Sequence, residues 1–148
     1  MSRVTGRNQI SGNWGQLWWN GELVYEIQSF EAKVTPNRED VQIGMDVDSK
    51  IISLKGEGTM KVKKVFSRGK KKLLDAWRKG EDPRSKFVYK LSDPDTVGRQ
   101  VEQGVINNVW FNEMTLSQFE MGQKLEEEYT FGFTPSDADF IETIDVEG

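Results

Sequence analysis

An Asn20-Gly21 pair lies between two stretches of apolar and aromatic residues, Gln16-Leu-Trp-Trp and Glu22-Leu-Val-Tyr-Glu-Ile. A tight type I′ hairpin turn needs φ > 0 at both central residues, and Asn-Gly adopts that conformation with little steric penalty. The pair therefore predicts a hairpin, with a first strand over 16–20 and a long second strand over 22–34. That second strand changes phase along its length. Leu23, Tyr25 and Ile27 share one parity, and Phe30, Ala32 and Val34 share the other. Side chains on a strand alternate with period two, so both sets turn inward only if the strand bulges or bends near Gln28-Ser29. A strand crossing from one sheet to another does this.

The rest of the chain reads as further antiparallel structure. Pro36-Asn37 marks a turn, after which Val41, Ile43, Met45 and Val47 alternate with Gln42, Gly44, Asp46 and Asp48 as in a half-buried strand. Residues 44–58 are expected to form a long projecting hairpin with an apolar tip at Ile51, Ile52 and Leu54. Such a tip needs a partner to cover it. Residues 57–66 return as a strand with Met60 and Val62 inward. Residues 67–79 are the one expected helix, capped by Ser67 and carrying Leu73, Leu74 and Trp77 as its apolar stripe. Lys79-Gly80 and Asp82-Pro83 stop it. Residues 86–91 put Phe87, Tyr89 and Leu91 on one face. Residues 101–116 and 124–134 pair around Met121-Gly122. A polar arm (1–14) and an acidic tail (135–148) with Phe140, Ile141, Ile144 and Val146 complete a single domain. The expected class is mainly β, an antiparallel sandwich or barrel with one flanking helix.

Composition removes several function classes. The 148 residues include no His and no Cys, so disulfides and thiolate chemistry are absent. Glu126-Glu127-Glu128 has no His beside it and makes a poor transition-metal site. Asp46, Asp48 and Ser49 lack the Gly and final Glu of a calcium loop. No phosphate loop and no nucleophile elbow is present. The sequence therefore assigns no catalytic, cofactor or metal residue. A net charge of -4 argues against a dedicated nucleic-acid binder. The start of the chain lacks a signal peptide's apolar stretch, and no apolar run approaches the roughly 20 residues of a membrane helix. Synthesis in the cytoplasm without membrane anchoring is expected.

Three features invite a partner. Arg68-Gly69-Lys70-Lys71-Lys72 reads first as a solvated helix face, yet cations at a helix N-terminus oppose the macrodipole, and an acidic partner would explain them. Trp18 and Trp19 point to opposite sides of their strand, so one faces the core and the other is exposed or covered. Exposed Trp serves an interface or stacks on a sugar ring, and the interface is preferred because other apolar residues also need cover. A carboxylate-based hydrolase is a third reading, but no feature supports its cleft.

The ordered set of segments resembles a known family. It comprises Ile10-Ser-Gly with Gly15-Gln-Leu-Trp, Asn20-Gly-Glu, Ile27-Gln-Ser-Phe-Glu-Ala-Lys-Val34, Lys79-Gly80-Glu-Asp-Pro83, Val109-Trp-Phe-Asn112 and Leu125-Glu-Glu-Glu-Tyr-Thr-Phe131. Together they are similar to tail tube proteins of contractile-tailed phages, in the branch of the PBSX prophage and R-type bacteriocins. The resemblance spans nearly the whole chain. It implies hexameric rings whose inner sheets join in one β-barrel, and rings stacked into a tube similar in fold to that of type VI secretion. The implied partners are further copies of the chain, tail sheath, tape-measure, baseplate and tail terminator proteins, with DNA as transient cargo. The implied location is a virion tail or a released phage-tail-like particle. On this basis Asp46, Asp48, Lys50, Ile51, Ile52, Leu54 and Lys55 are candidate inter-ring contacts. Glu26, Glu126 and Glu128 are candidate lumen carboxylates, where negative charge would repel DNA phosphates. Trp18, Trp19, Phe140 and Ile141 are candidate subunit-interface residues. A carbohydrate-binding sandwich is the alternative.

Overall fold

A computed structural model describes residues 15–63, 69–92 and 101–143. The polar arm, the Ser67 cap, and Ile144 and Val146 of the tail lie outside the described residues. Strand β1 (Gly15–Trp19) turns through Asn20 (φ 52°) and Gly21 (φ 86°) into β2 (Glu22–Leu23), as the Asn-Gly pair predicts. The long second strand of that hairpin is divided. After Leu23 the chain leaves β1, turns at Tyr25-Glu26 and enters β3 (Ile27–Ile43). Its ladder slips between Ile27 and Ser29, where the sequence changes parity. That slip is a bulge inside β3. β2 and β3 lie in different layers, and the crossing comes before the bulge, at residues 24–26, where Val24 is buried and Tyr25, grouped by parity with Leu23 and Ile27, is instead exposed.

β3 pairs along its whole length with β4 (Asp46–Lys63), and the chain reverses in two residues, Gly44 and Met45. Two expectations are corrected here. Pro36 is not in a turn but lies within β3, opposite Leu54. β3 is an edge strand, where a proline nitrogen facing away from the ladder forfeits no hydrogen bond. The alternating run Val41 to Val47 is not one half-buried strand either. It spans the hairpin turn and is exposed throughout.

Helix α1 (Lys70–Arg78) buries Leu73 and packs Trp77 on the core. It ends in a Schellman arrangement, with Gly80 (φ 81°) donating to Trp77 O at 3.0 Å and Glu81 to Ala76 O at 2.9 Å. Its start differs from expectation, because Gly69 stands at the cap in left-handed conformation with no side-chain bond. The chain continues through β5 (Ser85–Ser92), β6 (Val101–Met114), β7 (Glu126–Phe133), a 3-10 turn at Pro135–Asp137 and β8 (Ala138–Glu142). The tail is thus in part a strand, paired to β6.

The strands follow the order β2-β1-β5-β6-β7-β4-β3, all antiparallel, with β8 also on β6. β6 belongs to two layers. Residues 101–109 pair with β5, residues 110–114 pair with β7, and β8 follows β7 along the same strand. Asn108, in left-handed conformation at φ 55°, sits where the strand passes between layers. The inward faces meet in an aromatic core. Phe87 lies edge-on to Phe131 at 5.1 Å, Phe30 stacks on Phe131 at 5.7 Å, and Trp19 tilts over Phe111 at 5.3 Å. Edge-to-face and offset rings at these separations add to the stabilisation from area buried alone.

Candidate assembly surfaces

The most prominent surface is an arm. β4 parts from β7 after the Gly56–Phe133 pair, while β3 and β4 remain paired to the turn. Residues 46–55 of β4 therefore stand clear of the sandwich, a reach of about 33 Å at ~3.3 Å per residue. Register assigns its faces. Val34, Pro36, Leu54, Ile51 and Val47 continue the side that carries Phe30 and Met60 in the core, whereas Val41 and Ile43 share the other side with Asp46, Asp48 and Lys50. Ile52 is the unpaired residue where the register slips between Asn37 and Arg38. Ile51 and Ile52 are exposed as expected but belong to the shaft, and the tip is Gly44-Met45. The run of apolar residues concealed the turn, because a two-residue reversal puts Val47 on the face opposite Val41 and Ile43.

A second surface is the outward side of β3, β4 and β7. Lys61 stands opposite Glu128, and Lys63 opposite Glu126. Along the strands Lys33 approaches Glu31, and Lys55 approaches Glu57, each at 3.9 Å. This face is polar and its cations and carboxylates alternate, so it is charge-balanced rather than acidic. Glu26 does not contribute to it. The residue is 5% exposed in the turn before β3, where its backbone carbonyl accepts from Lys63 N at 2.9 Å.

The end of the molecule remote from the arm gathers the start of α1, the loop 115–125 and the beginning of β7. Lys70 is buried there and forms an ion pair with Glu127, which is 2% exposed; Lys70 also donates to Leu116 O at 3.3 Å. Glu127 has the parity of Tyr129 and Phe131, so its inward position was legible, but nothing in the sequence marked Lys70 as its partner. Lys71 and Lys72 remain exposed. The loop exposes Leu116, Phe119, Met121 and Leu125. Sequence reasoning passed over this apolar loop because its residues follow no strand or helix period.

The tryptophans separate clearly. Trp19, an interface candidate in the sequence, is half-buried and packs on the core against Phe87, Phe111 and Tyr129. Trp18 points outward between Leu23 and Val88. Trp77 lies on the core, and Arg84 covers Trp110, its guanidinium 4.8 Å from the ring centre. Trp14 lies outside the described residues. Among the described residues no pair of exposed indoles forms a sugar platform. Phe140 and Ile141 are exposed on β8. A cleft of about 1060 Å³ opens where β3 and β1 fail to pair, lined in part by Leu17, Phe30, Tyr89 and Phe140. Burial raises the Tyr89 phenol above its ordinary value, and the Glu102 carboxylate adds to the shift.

The phage tail tube protein family model matches residues 2–142. The chain is 32% identical over 137 residues to the phage-like element PBSX protein XkdM of Bacillus subtilis (strain 168), covering 90% of this chain and 92% of that protein. The fold is that of the anti-feeding prophage tube-terminating cap, with a TM-score of 0.73 at 9% identity over 96% of this chain and 97% of that one. It is also that of a chain in the sheath-tube complex of an extracellular contractile injection system in its extended state. The TM-score there is 0.67 at 12% identity, over 96% of this chain and 100% of that one.

Proposed function

We propose how a chain that belongs to the phage tail tube protein family builds its tube: copies join edge to edge into hexameric rings, and the arm joins one ring to the next. The protein is a structural subunit of a tail tube, and the carbohydrate-binding alternative has no support in the fold or the relatives. The observation that carries the proposal is the layer β3-β4-β7-β6, open at both edges. β3 has no strand on its outer side among the described residues, and neither do residues 110–114 of β6 opposite β7. Exposed edges are templates for pairing, and a ring that joins the sandwich end of β3 in each copy to residues 110–114 of β6 in its neighbour covers both within the layer.

In this reading the charge-balanced face of β3, β4 and β7 lines the lumen, with Glu126 and Glu128 held opposite Lys63 and Lys61. A wall without a net cationic excess gives DNA phosphates nothing to condense on, so cargo slides. Trp18, Phe140 and Ile141 lie on the other layer and serve contacts around the ring. The sheath protein surrounds the tube, terminator and baseplate proteins close its ends, and a tape-measure protein occupies the lumen during assembly. Assembly takes place in the host cytoplasm.

Removal of the arm tests this. Asn37 and Ser53 are opposite each other and joined by a 2.9 Å side-chain hydrogen bond. Replacing residues 38–52 with Asn-Gly therefore closes a short hairpin on an intact pair, whereas deleting 48–55 alone would remove one strand and orphan the other. Electron microscopy should show folded subunits or single rings that do not stack. Tubes of ordinary length from this variant would refute the role of the arm.

A further inference from the structure

We propose that the arm tip of one copy seats on the α1 and 115–125 end of a copy in the adjoining ring, and that the exposed lysines of α1 form the rim of this seat. The inference rests on the stacked-ring reading and names the contact that stacking uses. Three observations carry it: position, surface chemistry and charge.

The arm leaves the sandwich beyond Gly56, whereas Lys63 at the far end of β4 pairs with Glu126 beside the 115–125 loop. Tip and loop are thus at opposite ends of one continuous strand. A contact between opposite ends is heterologous. Repeated by translation it gives an open stack rather than a closed dimer. Both ends expose apolar side chains. Ile43, Met45 and Val47 do so at the tip, with Met45 fully exposed, and Phe119 and Met121 do so on the loop at 73% and 90%.

Charge fixes the pairing. Residues 38–51 carry Glu39, Asp40, Asp46 and Asp48 against Arg38 and Lys50, an acidic excess. The opposite end presents Lys61, Lys63, Lys71, Lys72 and Lys124 against Glu120, Glu126 and Glu128, a basic excess. Two acidic tips would repel each other, as would two basic ends, so like-to-like docking is disfavoured while tip-to-loop docking is steered. The position of Lys71 and Lys72 supports this. Cations in the first turn oppose the helix dipole, and an acidic tip arriving there supplies what the helix itself lacks. The Lys70–Glu127 ion pair and the Lys70 bond to Leu116 hold helix and loop together as one surface.

Cross-linking reads the contact directly, because the chain has no native Cys. Met45→Cys and Met121→Cys proteins, mixed, assembled and treated with a short bismaleimide, should give mixed dimers, with either protein alone giving few. Cross-links confined to Met45→Cys alone, or absent from tubes that have formed, would overturn the seat. Charge exchange gives a second readout. D46K/D48K and K71E/K72E should each raise the concentration needed for tubes about tenfold, and the four changes together should restore it. Loss without restoration places the seat elsewhere while leaving ring stacking intact. Tubes formed by the arm-shortened chain would instead remove the stacking reading itself.

Discussion

Replacing Lys70 with Met leaves the Glu127 carboxylate in the interior without its cation. Lys70 and Glu127 are 8% and 2% exposed, so solvent screens neither. Breaking a buried pair from one side costs about 3–5 kcal/mol, chiefly because the abandoned charge must stay desolvated or take up a proton. That is a large part of the ~5–15 kcal/mol that holds a domain folded. At about 2–4 °C per kcal/mol for a domain of this size, the melting temperature should fall by about 6–20 °C. The same reasoning makes the double variant K70M/E127L milder than the single one, within ~1 kcal/mol of the parent, because no charge is then buried. Urea unfolding of unassembled subunits, followed by circular dichroism and Trp fluorescence, measures both. Assembly must be avoided, since it stabilises the folded state by mass action. An unchanged slope with a lowered midpoint identifies a change in stability. If K70M lies within ~1 kcal/mol of the parent, or the double variant is as unstable as the single, the burial argument is wrong.

Other perturbations read other parts of the structure. A Cβ at Gly58 would run into the Glu31 carbonyl and the Phe131 ring, so G58A should lower stability by about 1–3 kcal/mol through overpacking, and a denaturation midpoint equal to the parent's would contradict that crowding. Gly21 sits in open space at φ 86°, so G21A should cost about 1–2 kcal/mol through backbone strain alone, visible as a lower melting temperature with an unchanged near-ultraviolet spectrum. Tyr89 has its phenol pKa raised by burial and by Glu102, so the unfolded chain loses that proton first as pH rises through about 10. The stabilisation is complete below that pH and fades as pH passes the folded value. Y89F should flatten the alkaline decline in midpoint, and an identical decline would assign it to other groups.

What the sequence disclosed and what it withheld follow from the range of the interactions involved. The Asn20-Gly21 turn and the Lys79-Gly80 stop are local conformational requirements and were legible. So was the bulge at Ile27-Ser29, because a two-residue period cannot absorb that slip; the crossing itself, at residues 24–26, carries no such signal. The arm was legible as a projection but misread in detail. Pro36 signals a turn in most contexts, and only its edge position makes it acceptable in a strand. Met45 looked like a member of an alternating run until pairing showed it to be the tip. The Lys70–Glu127 pair joins residues 57 apart in sequence, and no local signal marks such a partner. For the same reason Glu26 looked like any other carboxylate before folding enclosed it.

β6 makes the two layers a single covalent ribbon. Peeling one from the other requires breaking a strand rather than parting an interface, because the hydrogen-bonded backbone that ends one layer begins the other. A force applied to one face is therefore carried into the other as tension along that strand. Any change in the angle between them must be taken up at its corner, near Asn108. Asn108, in left-handed conformation at φ 55°, marks that corner.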